Sequence, residues 1–391
     1  MYRKEKLLNR RTVVKGFFYG ALAGLGAVSS ALGPFWILPE AYGNKTGCDG
    51  PVPLRLQAAK KGLIYGAETT FREIGDAEFV GAFKRECGIL VPGDELKWKA
   101  LRPTPGSFDF SRADFLARFA KGSNMHFRGH TLVWHEALPW WFGQTVNSGN
   151  AERILREHIE TVVGHYAGQI HSWDVVNEAI ATWEKDSLPN GLRNSPWLKL
   201  LGPKYIDIAF RTAADADPEA LMALNQNVLE YGSKASEQCR ADTLDLLRRL
   251  KSSGTPIHAL GIQGHIRTDY EHAGRFSPGK FRRFLRDVAD LDLKILISEL
   301  DVVDSGLPRD IPLHDRAVAG IYKEFLDVAL DEPAVIGVIT WGLSDRYSWQ
   351  RYGPGRDKTT VRPLPLDVDL NRKPAWYAIA NAFDNAHKNN F

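Results

Sequence analysis

Six short segments carry the residue types that do chemistry. They are Asp94-Glu95-Leu96-Lys97-Trp98, His130-Thr131-Leu132-Val133-Trp134-His135, Trp173-Asp174-Val175-Val176-Asn177-Glu178, Gln263-Gly264-His265, Ser298-Glu299-Leu300-Asp301, and Trp341 with Trp349. Each residue alone has an ordinary use: a glutamate in solvent, a tryptophan in the core, a histidine as a structural donor. Together they suit sugar chemistry. Two carboxylates, Glu178 and Glu299, are the parts needed to break a glycosidic bond, one protonating the leaving oxygen and one attacking the anomeric carbon. Indole faces match the apolar faces of sugar rings, and Lys, Asn, Gln and His side chains hydrogen-bond to hydroxyls. His130 and His135 lack the i, i+4 helical spacing of a zinc motif, so neither metal nor cofactor is expected.

Such residues must be held at one place. From about residue 60, short apolar runs alternate with longer amphipathic stretches. The runs predict strands over Leu63–Glu68, Ile89–Trp98, His126–Trp134, Ile170–Glu178, Leu221–Glu230, Ala259–Ile266, Lys294–Val302 and Val335–Asp345. The stretches predict helices over 75–87, 111–122, 150–168, 203–216, 233–253, 278–291, 312–332 and 373–388. Ser111 is expected to cap the second helix and Ser277-Pro278 to open the sixth. Near-continuous apolar strands alternating with helices imply a closed parallel sheet, a single α/β (β/α)₈ TIM barrel. An open doubly wound sheet is the alternative, but no GxGxxG follows the first strand. In a barrel the functional residues sit at the carboxyl ends of the strands, which is where these segments fall.

The chain has 391 residues, 44% of them hydrophobic, ample for one such barrel at 44–391. Residues 1–43 read instead as an export signal. Asn9-Arg10-Arg11-Thr12-Val13-Val14-Lys15 precedes an uncharged, glycine-rich stretch from Gly16 to Pro39, the pattern of a twin-arginine leader. Ala41-Tyr42-Gly43 reads as its cleavage site; an uncleaved membrane anchor is the alternative. The expected destination is the periplasm or the medium. The leader carries six Lys/Arg and two acidic residues, so the formal charge of +3 leaves −1 for the rest. That removes the electrostatic case for a nucleic-acid partner. Cys48, Cys87 and Cys239 lack CxxC spacing, and Cys87 and Cys239 read as buried free thiols, with a bridge between them as the alternative.

From about residue 60 to 388 the chain resembles glycoside hydrolase family 10, the endo-1,4-β-xylanases. The resemblance lies in Gly129-His130-Thr131-Leu132-Val133-Trp134-His135, Trp173-Asp174-Val175-Val176-Asn177-Glu178, Ile297-Ser298-Glu299-Leu300-Asp301, Ile339-Thr340-Trp341-Gly342 and Arg372-Lys373-Pro374-Ala375, in the family's order. It implies Glu178 as acid/base and Glu299 as nucleophile of a retaining double displacement. It further implies that Asn177 bonds the 2-hydroxyl of the sugar at the cleavage point, and that His265 and Asp301 orient the nucleophile. Asp94, Lys97, His130, Trp134 and Gln263 would line the glycone side, with Trp341 and Trp349 covering the sugar. The chain departs from the family's pattern at three places. Gly93-Asp94 stands where the second strand usually ends in Glu-Asn, removing an acceptor for a distal hydroxyl, although Asp94 can still accept. Asn225-Gln226-Asn227 replaces Asn-Asp-Tyr, losing an aromatic on the leaving-group side, and Ser298 replaces a threonine.

The expected substrate is therefore xylan, cut internally to xylooligosaccharides by a monomeric enzyme. Cellulose or mannan is the alternative within the same chemistry; the Trp349 loop would exclude the hydroxymethyl groups of glucans sterically. A sugar-binding protein on an inactive barrel would have lost a glutamate or the Asn-Glu pair, and both are present.

Overall fold

The computed structural model describes residues 51–182, 188, 190–268, 274–353, 358 and 360–388. The segment expected to be a leader, its expected cleavage site and Cys48 lie outside the described residues. Nine strands are described: β1 (Ile64–Thr69), β2 (Ile89–Pro92), β3 (His126–Val133), β4 (Ser172–Asn177), β5 (Leu221–Gln226), β6 (Ala259–Ile262), β7 (His265–Arg267), β8 (Lys294–Val303) and β9 (Val335–Thr340). All pairings are parallel; β6 pairs with β8 and β9 with β1, closing eight strands into a barrel. The expected helices are all present, from Ala77–Glu86 through Pro374–Asn385, each within a few residues of its predicted ends.

Alternation along the strands divides the apolar side chains between two faces. Tyr65, Ala67, Leu90 and Val338 join the main core beneath the helices, whereas Ile89, Val91 and Ile339 form a small cluster with Ile64 and Trp341 inside the barrel. Cys87 and Cys239 are buried free thiols in the main core.

Two expected caps are corrected. The helix Ser111–Gly122 begins with Ser111 rather than after it, and its N–H is met by Asp109 Oδ1 at 3.0 Å. Ser277 precedes Pro278 as expected but makes no side-chain cap bond. Side-chain caps instead come from Asp76, Ser195, Ser233 and Asp310. Several predicted strands also run too long at their carboxyl ends. The second stops at Pro92, and Trp98 opens a one-turn helix, Trp98–Leu101, with its indole donating to Leu132 O. The fifth stops at Gln226, the eighth at Thr340, and the sixth breaks at Gln263-Gly264, where Gly264 takes a φ of +76°. Beyond these points single backbone bonds, such as Gly93 N–H to Thr69 O and Gln263 N–H to Gln226 O, are joined by side-chain bonds such as Gly264 N–H to Glu230.

Under the mouth, His158 stacks on Trp98 with ring centroids 3.6 Å apart, and neither ring nitrogen has a protein hydrogen-bond partner. Burial, and then the nearby Arg102 charge, lower its pKa well below the usual value. The native state then takes up this proton less readily than the unfolded chain, so stability falls as pH drops below about 6.5, by at most ~1.4 kcal/mol per pH unit for one group. His158→Phe is expected to flatten that acid limb, so denaturant midpoints at pH 5 and pH 7 should lie closer together than in the wild type. An unchanged gap would contradict this role.

Candidate active site

The site assembles where β4 and β8, three places apart in the barrel, present Glu178 and Glu299. Glu178 follows β4 with φ +56°, a left-handed backbone that costs a non-glycine residue about 1 kcal/mol or more and needs support. The support is visible. Its N–H donates to Asn225 O at 2.8 Å, and Arg193 Nε donates to its carbonyl at 2.8 Å. Two residues on, Ile180 donates its N–H to Gln226 Oε1 at 3.0 Å, while Gln226 Nε2 donates to Ile180 O at 2.9 Å. The amide of Gln226 thus clamps the segment that turns Glu178 into the mouth.

Between the two carboxyls runs a bridge of amides. Asn225 Nδ2 donates to Glu299 Oε1 at 2.6 Å and to Asn177 Oδ1 at 2.8 Å. Gln263 Nε2 donates to Glu178 Oε1 at 3.0 Å and reaches Asn177 Oδ1 at 3.4 Å. Ser298 Oγ donates to Asn225 Oδ1 at 2.6 Å, fixing which way that amide points. The absence of a side chain at Gly261 makes room for it: a Cβ there would stand 2.2 Å from Asn225 Oδ1. Because Asn177 uses its oxygen in this bridge, its amide N–H groups are left to donate to a ligand.

Glu299 is ringed by donors. His265 Nε2 lies 3.2 Å from its Oε2 and His265 Nδ1 2.7 Å from Asp301 Oδ1. Asp301 also accepts from Trp349 Nε1 at 2.7 Å and Gln350 Nε2 at 3.2 Å. Burial alone would raise the Glu299 carboxyl, but the His265 hydrogen bond, the His130 and His265 charges and the Asn225 amide outweigh it and hold the group below its usual range. For His265 burial acts downward and is overcome by Asp301 and Glu299, so the imidazole holds its proton well above the usual pH. The break before β7 makes this possible, by setting His265 level with Asp301. Glu230 secures the break, accepting the Gly264 N–H at 3.1 Å.

The surroundings of Glu178 differ. Its side chain keeps 14% of its surface open, against 6% for Glu299, so it can exchange a proton with solvent. Arg193 Nη2 stands 3.4 Å from Oε2 and His135 Nδ1 4.0 Å from it. Burial, and then Arg193, lower the His135 pKa to about 3, which leaves a neutral imidazole beside the carboxyl.

This is a cleft with one carboxyl held ionised and a second, more open one, joined by amides. Residues 53–382 match the family model described as glycosyl hydrolase family 10. The chain belongs to that family. It is 35% identical to endo-1,4-beta-xylanase B of Thermotoga neapolitana, over 84% of this chain and 90% of that one. With beta-1,4-xylanase of Dictyoglomus thermophilum it shares 33% identity, over 76% and 82%. Xylanase 10B of Thermotoga petrophila RKU-1, solved with xylobiose, superposes with a TM-score of 0.76 at 32% identity, covering 86% of this chain and 99% of that one. As a member of family 10 the chain is a glycoside hydrolase with a (β/α)₈ barrel.

The structure brings all twelve expected residues to the same mouth, with some differences in what they touch. Gln263 is engaged between Glu178 and Asn177 rather than standing open on the glycone side. His130 is buried, its Nδ1 3.0 Å from Asp174 Oδ2 and 4.0 Å from Glu299 Oε1. Asp94, exposed, pairs with Lys97 at 3.3 Å and Lys99 at 3.6 Å, while Lys97 Nζ lies 5.3 Å over the Trp134 ring. The Trp341 ring stands steeply to those of His130 and His265, at 70° and 90°, and Trp349 is half-exposed. The closing Arg372-Lys373 pair proves structural: Arg372 binds Glu86 at 2.7 Å, and Lys373 binds the buried Asp345 at 2.7 Å. Residues with roles here that the sequence does not mark as site residues include Asn225, Gln226, Arg193, Glu230 and the buried Asp174–Arg128 ion pair behind His130. Asn225 and Gln226 stand in a segment that departs from the family's pattern, and Asp174 lies inside the Trp173–Glu178 motif. Arg193 carries no local signal. Among the described residues no group of three or more His, Cys, Asp or Glu is placed to hold a metal.

His265 donates to Glu299, so its removal should let burial dominate. In His265→Ala the acid limb of kcat/KM is expected to move upward by about one pH unit, with a lower plateau. A limb that stays in place while the plateau falls would show that another group sets it.

Proposed function

We propose that the protein is an endo-1,4-β-xylanase that hydrolyses internal bonds of xylan with retention, through a covalent glycosyl-enzyme intermediate. The observation that carries this reading is the amide bridge, which ties Glu299, Asn177 and Glu178 into a single constellation. Glu299, ionised, attacks the anomeric carbon as Glu178 gives its proton to the departing glycosidic oxygen. Glu178, now a carboxylate, takes a proton from the water that releases the sugar from Glu299. Asn177 donates to the 2-hydroxyl, where the bond strengthens as charge develops on the ring. His265 and Asp301 keep Glu299 ionised, and the indoles of Trp341 and Trp349 cover the sugar. Lys97, His130 and Trp134 lie on the glycone side, with Asp94 at its outer edge.

The relatives described above as xylanases support xylan as the polymer. Proton NMR during hydrolysis tests the mechanism: β-anomeric reducing ends should appear first, and α-anomers appearing first would mean inversion. Rates on xylan and carboxymethylcellulose test the substrate, and equal or greater turnover on cellulose would overturn it. Export by the leader is part of the same proposal, supported by Arg10-Arg11 ahead of an uncharged run. Full-length, unprocessed protein confined to the cytoplasm of the producing cell would contradict it.

A further inference from the structure

Among the carboxyls at the mouth that the mechanism above does not use, Glu68 is set apart by its bonding. Glu68, on β1, is paired in register with Val91 of β2, and the next residue pair, Thr69 and Pro92, ends both strands. Its side chain lies across the backbone of Gly93. A Cβ on Gly93 would stand 1.8 Å from Glu68 Oε1 and 2.8 Å from its Cδ. A side chain on residue 93 would therefore have to displace the Glu68 carboxyl from its present place.

Three other carboxylates stand near, and their bonding sets Glu68 apart. Glu73 accepts from Thr69 Oγ1 at 2.9 Å and from Thr70 N–H at 3.3 Å. Glu95 accepts from Phe71 N–H at 2.8 Å and from Asp94 N–H at 3.3 Å. Asp94 is taken by Lys97 and Lys99. Among the described residues, Glu68 receives no hydrogen bond, although it is only partly exposed and close enough to Lys97 to feel its charge. Leaving a carboxyl in such a place without a donor is costly unless something outside the protein supplies one.

We propose that Glu68 is a substrate-binding residue of the distal glycone end, gripping sugar hydroxyls together with Lys97 and replacing from the first strand the acceptor that Gly93 cannot provide from the second. This rests on the xylan reading of the site. Lys97 donates and Glu68 accepts, so neighbouring hydroxyls of one pyranose ring can be held at once. Burial, and then the charge of Glu73, push the Glu68 carboxyl well above its usual range against the pull of Lys97. A carboxyl carrying its proton can also donate to a sugar oxygen, so the grip does not depend on a single charge state.

The test compares the wild type with Glu68→Ala and Glu68→Gln on xylotetraose and on an aryl β-xyloside, which offers one sugar to the glycone side. In Glu68→Ala, kcat/KM on xylotetraose is expected to fall about 10- to 100-fold, carried mainly by KM, with a clearly smaller loss on the aryl xyloside. Glu68→Gln keeps the volume and one acceptor and should lose less than Glu68→Ala. Moving the carboxyl back, in Glu68→Ala/Gly93→Glu, should recover part of the loss, whereas Gly93→Glu alone should bind worse than the wild type. Equal losses on both substrates, or no loss on xylotetraose in a variant that unfolds at the wild-type temperature, would overturn the assignment. Failure of the wild type to cleave xylotetraose would instead refute the xylan reading, and the assignment with it.

Discussion

Glu299→Ala is expected to lower kcat on xylan by about four orders of magnitude or more, the scale seen when a covalent nucleophile is removed. The size follows from what Glu299 supplies. It is buried, held ionised by His265 and Asn225, and aimed from β8 across the amide bridge. No neighbour can substitute: Asp301 is buried and occupied by His265, Trp349 and Gln350. Glu299→Gln separates charge from shape, because the amide keeps the volume but cannot attack; it should be as inactive as alanine. An added nucleophile gives a sharper readout. With an activated aryl xyloside, azide entering the space left in Glu299→Ala attacks from the same side and should yield the α-glycosyl azide. Wild-type rates in either variant would refute Glu299 as the nucleophile.

Glu178→Ala should split the reaction by leaving group. Xylan departs as a poor leaving group and needs the proton, so its cleavage is expected to fall by about 10² to 10⁴-fold. An aryl xyloside with an acidic phenol needs little protonation, so its first step should lose far less. The glycosyl-enzyme then waits for a base that is gone, and a rapid burst of phenol followed by slow turnover is expected. Azide should relieve that second step and give the β-azide, the opposite anomer to that from Glu299→Ala. Equal losses on xylan and on the aryl substrate, without a burst, would remove Glu178 from the acid/base role. Alanine at 178 keeps the same left-handed backbone, which disfavours it about as much as glutamate, and leaves the backbone bonds to Asn225 and Arg193 in place. A large fall in stability is therefore not expected to confuse the result.

Both residues were readable from the chain because their setting is local. Glu178 closes an apolar run of strand length and Glu299 lies within another, and such a run reports burial on both faces whatever the rest of the fold does. The strand breaks were less readable. Beyond Pro92, Gln226 and Ile262 the runs look able to continue as strand, yet Glu95 holds the Asp94 N–H, Gln226 and Arg240 hold the Asn227 and Leu229 carbonyls, and Glu230 holds the Gly264 N–H. The helix starting at Ser111 shows the same limit on a smaller scale. A serine at a helix start looks like a cap, but Asp109, two residues earlier, supplies the oxygen.

What the sequence by itself determined is the element order, the barrel, the two carboxyls and the indoles around them, since period, strand length and motif order are properties of neighbours along the chain. What only the tertiary structure decided is which polar groups meet. Asn225 and Glu299 are 74 residues apart, and Gln263 and Glu178 are 85 apart. Their contacts depend on the register around a closed sheet, which no single segment encodes. The same holds for Glu68 and Gly93, 25 positions apart and ambiguous alone. Side by side at the end of β1 and β2, one leaves the space that the other fills.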